Sequence, residues 1–175
     1  MQSYYDVTNF IHEKLQQLSS EQQADFIKNL IYHFVKGLPT DWLEGELDSE
    51  KPHYQAIIQQ ILQPNWHDEI IEQQLLVLDD IMFSMGDAYP HNTSEALLMI
   101  WELLDFYLSL REMAQKSDNS HELGMLSAIS YLEYVESLIE NNLGQASDFE
   151  DWLAQPLMAT AFDDIKHALT LAQKI

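Results

Sequence analysis

Cysteine is absent from the 175 residues, so the chain can form no disulfide, offers no thiolate nucleophile and cannot build a zinc–thiolate site. Basic side chains are scarce. Eight Lys and Arg stand against 29 Asp and Glu, for a formal net charge of -21, and Arg111 is the single arginine. A nucleic-acid interface needs clustered cations to displace counterions from phosphate, so DNA and RNA are excluded as partners, and an anionic membrane surface is disfavoured for the same reason. Five glycines leave no glycine-rich phosphate loop, and there is no Gly-x-Ser-x-Gly elbow, which argues against a nucleotide-fold enzyme or a serine hydrolase. No apolar run approaches the ~18–20 residues of a membrane span. The opening Met1-Gln2-Ser3-Tyr4-Tyr5-Asp6 lacks the basic-then-apolar pattern of a secretory signal. A soluble, cytoplasmic protein without a cofactor is the expectation.

What is present is a hydrophobic content of 46%, enough to bury a core, in a length that suits one domain over residues 1–175. The apolar residues recur with helical period. Phe26, Ile27, Leu30, Ile31, Phe34 and Val35 form one stripe, with Ser20 and Gln23 spaced as a capping box and Gly37 with Pro39 as the stop. Phe10, Ile11, Leu15 and Leu18 mark a helix before it. Tyr54, Ile57, Ile58, Ile61 and Leu62 mark one after it, ending at Pro64. Asn65 is placed to cap the next, through Ile71, Leu75, Leu78, Met82 and Met85 to Gly86. A helix opening near Thr93 or Ser94 and running to about Lys116 is apolar nearly all round, as expected of the centre of a bundle. Met125, Ile129, Leu132, Val135 and Ile139 share a face up to Gly144. Ser147 with Glu150 reads as a capping box for a short helix interrupted at Pro156, and Met158, Phe162, Ile165, Leu169 and Ala172 form the last stripe. No segment alternates with period two, so the expected fold is an all-α single-domain bundle of roughly seven or eight helices around a central apolar helix.

No catalytic residues are assigned, but two groups of acids stand out. The stretch from Leu38 to Pro52 holds Asp41, Glu44, Glu46, Asp48 and Glu50 around Trp42. Farther on, Glu133, Glu136 and Glu140 share a helix face with no lysine at i+4. Such like-charge spacing costs a helix about 0.2–0.5 kcal/mol per pair. Aromatics among uncompensated acids suit an interface with a basic protein, because opposite potentials steer encounter. The plainer reading is a solvated face around a buried tryptophan.

A metal-dependent alternative rests on Glu69 and Glu72, with Glu102 and Asp105 on a later helix. In Asp68-Glu69-Ile70-Ile71-Glu72 and Glu102-Leu103-Leu104-Asp105 the chain looks like the paired acidic motifs of all-α nucleotide pyrophosphohydrolases, which implies carboxylates holding magnesium over a triphosphate. Against it, Glu95, Glu102, Asp105 and Glu112 read as one polar stripe, and Arg111 is the sole arginine near it. Asp164 with His167, preceded by Asp163, is the nearest approach to a Glu-x-x-His pair and reads as surface. The other histidines are scattered.

A small, acidic, cysteine-free helical chain of this kind resembles the bacterial immunity proteins of contact-dependent inhibition and polymorphic toxin systems. That resemblance implies a cognate basic toxin, such as a nuclease, covered at its active site. The Leu15-Gln16-Gln17-Leu18 opening through Phe26, and the two long helices from Thr93 to Asn141, also resemble the YjaG-type all-helical family. A DNA-mimic inhibitor is a third reading, which needs regularly spaced charge on an elongated surface.

Overall fold

A computed structural model describes residues 3–39, 41–43, 46, 48–83, 95–116, 122–143 and 154–174. These residues form seven helices and no strand: α1 (Tyr4–Leu15), α2 (Ser20–Lys36), α3 (Lys51–Ile61), α4 (Asp68–Met82), α5 (Glu95–Gln115), α6 (Glu122–Leu143) and α7 (Pro156–Ala172). Helices α2, α5, α6 and α7 pack as a ring of neighbours, with α2 and α5 the most extensive pair. α4 lies on α5, α3 on α2 and α4, and α1 on α6 and α7.

Most of the stripes read from periodicity are buried faces, but Leu62, at the end of the stripe before Pro64, is exposed, and Met125 and Ile129 are half-buried. Phe26, Ile27, Leu30, Ile31, Phe34 and Val35 of α2 are buried, as are Leu97, Ile100, Leu103, Leu104 and Leu110 of α5. α7 contributes Met158, Phe162, Ile165, Leu169 and Ala172. An apolar α5 is therefore central, but it shares the centre with α2.

The helix ends differ in detail. α1 starts with a capping box in which the Ser3 hydroxyl accepts from the Asp6 amide and the Asp6 carboxylate accepts from the Ser3 amide. The box of α2 is Ser19 with Gln22, one residue before the expected pair. α4 begins at Asp68 after His67 rather than at Asn65, and Asp68 and Glu69 place negative charge in its first turn. Pro156 occupies the first turn of α7, where the missing N–H costs nothing, and so opens that helix, while the expected short helix through Trp152 lies outside the described residues. The expected features at Met85, Gly86, Thr93, Ser94, Gly144, Ser147 and Glu150 lie outside the described residues.

Candidate functional site

Among the described residues, carboxylates without an ion-pair partner gather along the seam of α5 and α6. Glu95 and Glu102 project from α5 and Glu133 from α6 into a groove of about 290 Å³ that also takes in Ser130, Tyr134 and Ser137. Ser137 Oγ donates to Glu95 Oε2 at 3.0 Å, and the Ser130 hydroxyl hydrogen-bonds the Glu102 carboxylate. Even so, burial and then the charges of Glu133 and Asp105 hold the Glu102 carboxyl above its ordinary value. Glu136 is raised by burial and by the charges of Glu140 and Glu133. Glu133 and Glu136 in turn help burial to raise the Tyr4 phenol on α1. Among the described residues no lysine, arginine or histidine forms an ion pair with Glu95, Glu102, Glu133, Glu136 or Glu140. The α6 face picked out by its spacing is thus joined by two carboxylates from α5, a neighbourhood that only tertiary packing creates.

The acidic stretch before α3 has a different character. Asp41 is exposed, but Trp42 packs against the core beside buried Leu43, so its ring is partly committed to the fold. Asp48 pairs with Lys51 at 3.0 Å, and Glu50 accepts a hydrogen bond from the buried Tyr54 hydroxyl at 3.3 Å. Glu46 is half-buried, and Glu44 lies outside the described residues. This stretch leads into α3, which packs on α2 and α4, whereas α6 packs on α1, α2, α5 and α7.

The four carboxylates of the metal-dependent alternative are divided between two clefts. Glu69, Glu72 and Asp105 line a cleft of about 500 Å³ between α4 and α5, together with Asp68, Arg111 and Glu112. Glu102 instead enters the α5–α6 groove. The reason is angular. Residues three apart on an α-helix sit about 60° apart around its axis, so Glu102 and Asp105 straddle a ridge with α6 on one side and α4 on the other. The expected single polar stripe of α5 is therefore two. Burial and the charge of Asp79 raise the Asp105 carboxyl. Arg111 is already engaged: its Nε donates to Asp68 Oδ2 at 2.8 Å, while Tyr107 Oη donates to Asp68 Oδ1 at 2.7 Å. Burial alone would raise Asp68, but these two hydrogen bonds and the Arg111 charge hold it below its ordinary value. Among the described residues no three His, Asp or Glu side chains are arranged to hold a metal ion.

Set against known protein families, curated proteins and solved structures, the chain matches none.

Two further arrangements escape sequence reading. His33 of α2 and His167 of α7 meet through Nε2 and Nδ1 at 3.0 Å. His33 Nδ1 faces Asp164 Oδ1 at 3.7 Å, and Asp164 accepts from the Tyr131 hydroxyl of α6 at 3.1 Å. Burial lowers the His33 imidazole, with Asp164 opposing and His167 and Lys36 adding to the shift. The Asp164/His167 spacing was visible in the chain, but its third member is 134 residues away. The other arrangement is a cleft of about 480 Å³ between α2 and the turn from α3 to α4, bordered by Trp66 and Tyr32.

Proposed function

We propose that the protein acts by binding a basic protein partner through the α5–α6 carboxylate groove, in the manner of an immunity protein that covers the basic active site of a toxin such as a nuclease. The observation that carries this reading is the set of Glu95, Glu102, Glu133, Glu136 and Glu140 on two packed helices, with no ion-paired cation among the described residues. Burial first, and then the charges of neighbouring carboxylates, raise Glu102 and Glu136, and a partner's Lys or Arg side chains would offset the repulsive part. In the complex these carboxylates would stand where the toxin holds substrate phosphates. Water excluded from the half-buried groove would strengthen each pair. Exposure of Glu95 and Glu133 keeps two charges at the mouth to steer encounter.

The test begins with co-purification of the tagged chain from its own host after nuclease treatment, followed by kinetics with the purified, identified partner. The expected result is a stoichiometric basic protein whose association rate falls steeply with salt. Glu102→Gln/Glu133→Gln/Glu136→Gln should slow association roughly tenfold or more and restore the partner's enzymatic activity. A complex that is indifferent both to salt and to this triple substitution would refute the reading, as would the absence of any stoichiometric partner. If the partner proves to be a DNA-binding protein displaced from DNA, the same surface serves as a DNA mimic.

The α4–α5 cleft supports the pyrophosphohydrolase alternative less well, because it receives three of the four carboxylates and its arginine is held by Asp68. Magnesium-dependent pyrophosphate release, abolished by Glu72→Ala, would favour that alternative.

A further inference from the structure

The cleft between α2 and the α3–α4 turn has a composition unlike the two acidic ones. On its α2 side Asp25, Lys28, Asn29 and Tyr32 recur at i, i+3, i+4 and i+7, the face opposite the buried stripe. Facing them are Leu62 and Pro64 of the turn and the ring of Trp66. The aromatic wall is fixed before any ligand arrives. Trp66 Nε1 donates to the Ile61 carbonyl at 2.9 Å, and its ring meets Tyr107 edge-on at 5.0 Å between centroids. Tyr107 is in turn held by Asp68 and, through it, by Arg111.

The polar side carries two opposite charges that form no direct ion pair. Lys28 Nζ lies over the Trp66 ring at 5.4 Å from its centroid, with no carboxylate within ion-pair distance among the described residues. Asp25, one helical turn earlier, accepts from Asn29 Nδ2 through Oδ2 at 3.1 Å, which orients the carboxylate. Both side chains are half-buried. A cation and an anion set side by side at an apolar mouth, within each other's field but beyond direct ion-pair distance, are complementary to a ligand that carries both charges on groups attached to one carbon. We propose that this cleft binds a free apolar α-amino acid. Its ammonium donates to Asp25, its carboxylate accepts from Lys28 Nζ, and its side chain lies against Trp66, Leu62 and Tyr32. A volume of about 480 Å³ falls within the range of small-molecule sites, as does an apolar lining with few convergent polar groups. The cation–π contact leaves ammonium hydrogens of Lys28 free for a carboxylate. This site is separate from the α5–α6 groove, so either reading can fail without the other.

The experiment is calorimetric titration of the full chain with L-leucine, L-phenylalanine and L-tryptophan, each compared with its N-acetyl and carboxamide forms and with glycine. The Trp66 indole resonance reports the location. The free amino acid should bind, and removal of either charge or of the side chain should weaken binding roughly tenfold or more. Lys28→Met should abolish the preference for the acid over the carboxamide, and Asp25→Asn the preference for the free amine over the N-acetyl form. Both substitutions lie on the polar face of α2, and an unchanged Tm would confirm that each variant folds. The proposal is overturned if no amino acid binds up to on the order of 10 mM, if the blocked forms bind equally well, or if the folded variants discriminate as the parent does.

Discussion

Arg111 is the single arginine of a chain with 29 acidic residues, and its half-buried guanidinium is pinned to the fold. Its Nε and the Tyr107 hydroxyl each take one oxygen of Asp68, which joins the start of α4 to the last turns of α5, while Glu21 of α2 stands 3.8 Å from the other end of the guanidinium. Charge-assisted hydrogen bonds of this kind contribute about 1.5–3 kcal/mol when buried, and the partial exposure of both partners puts this pair toward the lower end. Arg111→Met is therefore expected to cost about 1–2 kcal/mol near neutral pH. Because the folded-state value of Asp68 is lowered, its contribution is present above the ordinary value of 3.8 and is lost as pH falls through the folded value. Urea unfolding of Arg111→Met, Asp68→Asn and the double variant should give a coupling energy near neutral pH that shrinks once pH falls below the ordinary value of 3.8. A coupling energy near zero at neutral pH would mean that the contact carries no stability.

At the scale of the element, the chain announces its helices clearly but leaves their registers open. Ser19-Ser20-Glu21-Gln22-Gln23 satisfies the capping-box spacing twice, and local chemistry cannot choose between the two. Burial chooses. Ser20 and Gln23 are buried, and the Gln23 amide donates to the Leu15 and Leu18 carbonyls, tying the end of α1 to α2. Ser19 and Gln22 are left to form the cap. The acids of α6 were legible for the opposite reason, since Glu133, Glu136 and Glu140 are neighbours within one helix. Their meeting with Glu102, and that of His33 with His167, depends on which helices pack together, and no local period encodes that. Gly124, in the first turn of α6, marks one such packing choice. A Cβ there would stand 2.7 Å from Gln23 Oε1 and 3.3 Å from Leu15 Cδ2. Gln23 is buried and held by two carbonyls, so it cannot swing aside cheaply. Gly124→Ala gains at most ~1 kcal/mol of helix propensity and meets an overpacking cost of about 1–3 kcal/mol. The expected net effect is a Tm lowered by a few degrees. A raised Tm would show that α1 and α6 can separate without loss.

The whole molecule carries a net charge of -21 and so opposes its own compactness. The half-buried carboxyls of Asp25, Glu102 and Glu136, and that of the more exposed Asp105, are all raised. A raised carboxyl favours the folded state most when protonated, so its contribution is fully present below the unfolded value and is lost as pH rises through the folded one. At neutral pH these groups are therefore a standing cost. His33 and Asp68, both lowered, act in the opposite sense and lose their contributions as pH falls. If the α5–α6 groove is kept acidic for a basic partner, then the substitutions that weaken binding should stabilise the free protein. Glu102→Gln/Glu133→Gln/Glu136→Gln removes like-charge contacts on α6 and across the groove. Exposed and half-buried pairs of this kind cost about 0.2–0.5 kcal/mol each, so the free variant should gain about 1 kcal/mol at neutral pH and low salt. The gain should shrink as added salt screens the parent's repulsion, and also toward mildly acidic pH as the parent's carboxyls take up protons. Thermal melts of parent and variant over salt and pH measure both trends. A variant that is less stable than the parent at low salt would mean that these glutamates support the fold, and their role as a poised binding surface would lose its physical basis.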